Sequence, residues 1–180
     1  MMHKQLITLL EADARRMQML KIIQHLELPH ACIAAGAIRN LVWDHLHGFH
    51  PGTPLNDIDV IYYDPQKDEA YDYDVENQLN KQYDNMNFQV RNQARMHIRN
   101  DDHPYQSVEE AMSFWPETAT AVGTCLNRMD QIEIIAPHGI QDLFDLVLRR
   151  SPYCTDEDLF LKRVYEKKWL EDWPLLKIVT

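Results

Sequence analysis

The chain has 180 residues, 45% hydrophobic and 26% charged, with only 5 glycines. That fits one globular domain over 1–180 with a sizeable core and mostly regular structure. A formal charge of −10 repels phosphate backbones at long range, so extensive nucleic-acid binding is disfavoured while a small basic site is not.

Leu6, Leu10, Ala14, Met17, Leu20 and Ile23 recur near the helical period and predict an N-terminal helix over 3–27, stopped by Pro29. "ACIAAG" (31–36) reads as a buried strand ending in a turn. "AIRNLVWDHLHG" (37–48) reads as a helix, with Ile38, Val42 and Leu46 on one face and Gly48 as its stop. A loop over 49–56 precedes the strand "DIDVIYY" (57–63). The charged segment 65–85 is helical near Val75 to Gln82, and "FQVRNQARMHI" (88–98) is a strand running on into a less regular segment.

Ser107 and Glu110 make a capping-box pattern ahead of the helix "VEEAMSFW". "QIEIIA" (131–136) alternates as a strand. "GIQDLFDLVLRR" (139–150) reads as a helix with Ile140, Leu143, Phe144 and Val147 inward. Thr155 and Asp158 cap a C-terminal helix over 155–173. Helices and strands alternate throughout, so the fold class is α/β (α+β), with a core over 30–150 between the terminal helices.

The three cysteines, Cys32, Cys125 and Cys154, show no metal-ligand spacing, which predicts reduced thiols in a cytoplasmic protein. Glu11, Asp13, Arg15 and Arg16 interrupt the early apolar residues, unlike a secretory leader, and no apolar run nears the roughly 18 residues that span a membrane. His45, His47 and His50 lie close together without a Cys or carboxylate partner, and Trp115, Trp169 and Trp173 fit core or interface positions.

Asp57 and Asp59 are two apart on a strand, so both face one way. Carboxylates held that close repel unless a cation sits between them, and oxygen ligands suit Mg²⁺ or Mn²⁺. A D-x-D pair is also short and common, and a turn residue followed by an exposed strand position would look the same. Upstream, Gly36 and Ala37 open a helix whose free amides and dipole favour anions, and Arg39 with Asn40 follows one turn in.

"GAIRNLVWDHLHGFHPGTPLNDIDV" resembles the polymerase-β-type nucleotidyltransferase superfamily, and in particular the head domain of CCA-adding tRNA nucleotidyltransferases. "IRN", "TPLNDIDV", "NQARMHIRN", "WPETATAVG" and "IIAPHGIQDLF" are similar to a small stand-alone bacterial nucleotidyltransferase family, over roughly residues 30 to 175. The resemblance implies a mixed sheet flanked by helices. It also implies an enzyme that moves a nucleoside monophosphate from a triphosphate to an acceptor hydroxyl. Asp57 and Asp59 would hold Mg²⁺ or Mn²⁺, and Gly36 and Ala37 would cradle the β- and γ-phosphates. A chain of 180 residues has no room for the additional helical tRNA-binding domains of CCA-adding enzymes. With the charge of −10, that argues against CCA addition to tRNA.

Two departures stand out. The second small residue of the phosphate turn is Ala37, which offers an amide but no hydroxyl. The third carboxylate such sites need falls at Gln89, a neutral amide; Glu133 would replace it if its strand is adjacent. Read as an extended segment, Gln89, Arg91, Gln93 and Arg95 share one face and could meet triphosphate or acceptor. Gln89 also motivates an alternative: a catalytically weak or inactive nucleotide-binding regulator.

Overall fold

Alternation along the central strands decides how the sheet packs. Ile58, Val60 and Tyr62 of β2 (Ile58–Tyr62) and Phe88 and Val90 of β3 (Phe88–Asn92) are buried on one face, so the residues between them turn the other way. The computed structural model describes residues 1–179. It sets these strands in a five-stranded sheet with β1 (Cys32–Ala34), β4 (Gly123–Leu126) and β5 (Ile132–Ile135), in the order β3-β2-β1-β4-β5. β2 and β3 run parallel and the other pairs antiparallel, which gives the mixed sheet that the resemblance implies.

The larger core lies on the Ile58 face. It takes Leu6 and Leu10 from α1 (Met2–Ala12), Met19, Leu20 and Ile23 from α2 (Ala14–Gln24), Ile38, Val42 and Trp43 from α3 (Gly36–His47), and Leu79 from α4 (Glu69–Gln82). Each fully buried side chain of that size contributes about 1.5–3 kcal/mol. β3 leads through a 3₁₀ turn at Gln93–Arg95 into α5 (Met96–Asn100) and then α6 (Val108–Ser113). On the sheet's opposite face, Val108 and Met112 of α6 close a smaller cluster with Cys32, Ala34 and Ile61.

Several predicted elements are divided. The helix expected over 3–27 breaks at Asp13, whose extended backbone ends α1 and whose carboxylate accepts from the Arg16 amide to cap α2. α4 begins earlier than expected, because Asp68 accepts from the Tyr71 amide. The strand from Phe88 stops at Asn92, whose side chain accepts from the Ala94 amide and starts the 3₁₀ turn. The helix expected over 139–150 is one turn, α7 (Gln141–Phe144). Leu146 then takes φ 57°, and β6 (Val147–Arg149) pairs in parallel with β7 (Lys177–Val179). The C-terminal helix is two: α8 (Glu157–Glu166) and α9 (Trp169–Asp172), separated at Lys168 with φ 54°. Its cap is Asp156, which accepts from the Leu159 amide, not Thr155. Ser107 caps α6 as predicted, although the Glu110 carboxylate reaches the Gln106 amide at 2.6 Å in place of Ser107's own.

The three cysteines are free thiols, and among the described residues no helix is long and apolar enough to cross a membrane.

Candidate active site

Strand register brings three elements to one end of the sheet. Ala34 of β1 pairs with Asp59 of β2, and Asp59 pairs with Gln89 of β3. β1 ends at Ala34 and the chain turns at once into α3, so the helix start lies beside Asp59. Asp57, just ahead of β2, shares the direction of Asp59 by the strand period.

The turn's conformation is carried by Ala35 (φ 52°, ψ −117°), not by Gly36. A non-glycine residue there is held against its preference, and such strain persists only where the surroundings enforce it. The Ala35 amide donates to the Val122 carbonyl at 3.0 Å, and its own carbonyl accepts from Ile38 and Arg39 at 3.1 and 2.8 Å. The Gly36 and Ala37 amides are left as the free donors of the first turn. A Cβ on Gly36 would sit 3.5 Å from Arg39 Nη2, an ordinary contact. Glycine is therefore not demanded by the backbone; its bareness keeps the approach to the amides open. Ala37 turns its methyl into the core, and its carbonyl accepts from Arg16 Nε, whose guanidinium also pairs with Asp13. The break between α1 and α2 thus clamps the turn.

The electrostatics are those of a crowded anionic site with cations around it. Burial pushes Asp59 up to about 6 and the charge of Asp57 adds to this, while Arg39, Lys167 and Arg91 pull the other way. Arg39 is lowered by burial to about 10, opposed by Glu117 and Asp59, and remains cationic at pH 7. Its guanidinium lies over Trp169 (4.8 Å) and Trp43 (5.2 Å), and its Nε donates to Asn40 Oδ1 at 3.1 Å. Asn40 is buried and orients Arg39 rather than facing the cleft.

Gln89 is the near neighbour of the pair: its amide donates to Asp57 Oδ2 at 3.4 Å. Glu133 is not. Its row across the sheet runs Ile61, Cys32, Cys125, Glu133, so three strand spacings, about 14 Å, separate it from β2. Its carboxylate instead accepts from Asn127. The condition for Glu133 to supply the third charge is not met.

The shared face expected for Gln89, Arg91, Gln93 and Arg95 ends with the strand. Arg91 keeps that face and lines the cleft while paired with Glu76 at 2.6 Å. Gln93 still lines the cleft, but it is largely buried and donates to the Arg91 carbonyl. Arg95 turns away and pairs with buried Asp72, which also accepts from Tyr62 and the Asn92 amide. No group of three or more His, Cys, Asp or Glu side chains is arranged to hold a metal among the described residues.

A cleft of about 700 Å³ opens from Asp59, Ala35 and Arg39 toward Arg99, Phe114, Tyr153 and Arg163. Glu117, fully buried, accepts from Arg163 Nε and Thr120 Oγ1, both at 2.8 Å, and so fixes a second guanidinium beside Arg39. Sequence reasoning passed over Glu117 and Arg163, which lie 46 residues apart with no spacing to link them. It also passed over Asp44. That buried carboxylate accepts from the Thr53 amide and hydroxyl (both 2.7 Å) and from the Trp173 indole (2.8 Å), pinning the loop that leads to Asp57. A Cβ on Gly52 would fall 2.9 Å from Asp44 Oδ2, so the loop closes only over a bare residue. Of the three clustered histidines, His45 and His50 are exposed, while His47 packs: it contacts the Trp43 carbonyl and accepts from the Leu175 amide.

A mixed sheet with a helix-opening turn beside a D-x-D strand is the architecture of a nucleotidyltransferase head domain. The family model described as nucleotidyltransferase matches residues 21–178, and the chain belongs to that family. A solution structure reported as revealing a CCA-adding enzyme head domain is similar, with 30% identity and a TM-score of 0.88 over 98% of this chain and 95% of that one. Two further structures share the fold: a CCA-adding enzyme in complex with CTP (13% identity, TM-score 0.62, 99% of this chain and 43% of that one) and a tRNA-processing enzyme in an apo form (16%, 0.58, 91% and 42%). This chain spans less than half the length of those two. No curated protein matches the sequence.

Proposed function

We propose that the protein transfers a nucleoside monophosphate from a nucleoside triphosphate to an acceptor hydroxyl, with Asp57 and Asp59 as the metal-binding pair. The observation that carries this reading is the single row Ala34–Asp59–Gln89, which sets the free amides of the α3 turn against two carboxylates. The donor set fits Mg²⁺ or Mn²⁺. Two hard oxygen ligands, one with its proton affinity raised by burial and then by the charge of the other, suit an ion that completes its shell with water and phosphate oxygens. When bound, such an ion aligns the α-phosphate and lowers the acceptor's pKa.

The protein's own groups do the rest. The Gly36 and Ala37 amides meet the β- and γ-phosphates at the positive end of α3. Arg39, held over the Trp169 ring, and Arg91 add fixed positive charge beside the leaving pyrophosphate. Isothermal titration with each NTP, with and without Mg²⁺, tests binding, and pyrophosphate release across acceptor mixtures tests transfer. Asp57→Asn and Asp59→Asn should abolish the Mg²⁺-dependent part of NTP affinity; unchanged affinity in both would sink the proposal.

Gln89 supports a second reading, a nucleotide-binding regulator with little or no turnover. It stands where a third acid would act, and an amide neither binds a divalent ion strongly nor accepts a proton. Tight NTP binding with no pyrophosphate release would favour that reading.

A further inference from the structure

The cleft has a second end that the phosphate chemistry does not use. There the aromatic rings form a graded ladder from core to solvent. Buried Tyr105 lies 5.1 Å from Phe114, and Phe114 stacks on Tyr153 at 4.8 Å with planes 25° apart. Phe114 and Tyr153 both line the cleft, and Tyr153 is 56% exposed. The ladder is anchored. Buried Ser151 donates to the Ser113 carbonyl at 2.9 Å and accepts from the Tyr153 amide at 3.3 Å, tying the two ring-bearing segments together. Tyr153 thus presents one ring face to the cleft while the other rests on Phe114, which suits it to stack a further planar group.

We propose, resting on the nucleotidyl-transfer reading, that the base of the incoming nucleoside triphosphate extends this ladder by stacking on Tyr153. The cleft's 700 Å³ lies within the usual range for a small-molecule site; Arg39 and Arg91 act on Asp59 at the end where the phosphates would go, while Arg99 and Arg163 line the wall toward Tyr153. The segment after Tyr153 carries Asp156, Glu157 and Asp158, which opposes a polyanionic strand across the same ring. Every base has a π-face, so the stack supplies affinity rather than base choice.

The test is calorimetry of Mg²⁺-saturated ATP and CTP against inorganic tripolyphosphate, on the wild type, Tyr153→Ala and Tyr153→Phe. The wild type should bind both NTPs at least about fivefold more tightly than tripolyphosphate. Tyr153→Ala should erase that margin while leaving tripolyphosphate affinity unchanged, and Tyr153→Phe should keep it. The stack is overturned if Tyr153→Ala leaves NTP affinity intact, even where an acceptor's KM rises, or weakens both ligands equally. A wild type that binds tripolyphosphate as well as NTP overturns the stack alone. One that binds neither overturns the nucleotidyl-transfer reading with it.

Discussion

Gln89 stands directly beside Asp59 in the parallel pairing of β2 and β3, and its amide donates to Asp57 at 3.4 Å. One neutral side chain therefore touches the carboxylate pair at the position where a third charge would act. Replacing it changes the charge of the site without moving the backbone.

Gln89→Glu should raise affinity for Mn²⁺ several-fold and raise any pyrophosphate release with it, since a divalent ion gains a third anionic oxygen. Titration calorimetry with Mn²⁺ alone reads the first effect. Unchanged or weaker Mn²⁺ binding would show that Gln89 does not face the ion.

Asp59 should contribute a loss of stability to the metal-free protein as pH rises from about 4 to about 6. Burial, then the charge of Asp57, raises Asp59 from 3.8 to about 6 in the folded state. In that window Asp59 binds more proton in the folded chain than in the unfolded one, so its share of the unfolding free energy falls with pH and then levels off. Asp59→Asn removes the ionised group and should stabilise the apo protein at pH 8 by about 1–3 kcal/mol, with no gain at pH 3.5. Urea unfolding at the two pH values, in the presence of chelator, checks both.

Asp44→Ala leaves the Trp173 indole and the Thr53 donors without an acceptor. It should cost about 2–4 kcal/mol. Gly52→Ala, whose added Cβ meets Asp44 Oδ2 at 2.9 Å, should cost about 1–2 kcal/mol alone and much less once Asp44 is alanine. Additive losses in the double-mutant cycle would refute the coupling.

Arg39→Lys keeps the charge but loses the guanidinium contact over Trp169 and the directed bond to Asn40. NTP affinity should fall about tenfold, with thermal stability nearly unchanged. An equal affinity would assign Arg39 to packing against the tryptophans.

What could be read from the sequence divides along physical lines. The alternation of helices and strands, the direction shared by Asp57 and Asp59, and the turn ahead of α3 follow from local periodicity and the nature of a strand-to-helix junction, while the mixed sheet comes only from the family resemblance. The fate of Glu133 does not. Its apolar–acid–apolar setting matches that of Asp59, and only the non-local order β2-β1-β4-β5 reveals that three strand spacings, about 14 Å, separate their two strands. Arg95 looked like part of a basic face because Asn92, by capping a 3₁₀ turn, ends the strand against its apparent period. Asp13, Leu146 and Lys168 break helices through single backbone choices that an averaged apolar pattern does not register. Asp44, Glu117 and Arg163 act through partners too distant in sequence to announce themselves.

The bond between Asp44 and Trp173 spans 129 residues, and its effect is on timing. Contacts so remote form late, because the entropy of closing the intervening loop comes before any return. A chain emerging from the ribosome displays Asp57 and Asp59 long before Trp173 arrives to lock the Thr53 loop behind them. The carboxylate pair is thus among the early parts of the protein to be made and among the last to be set in place.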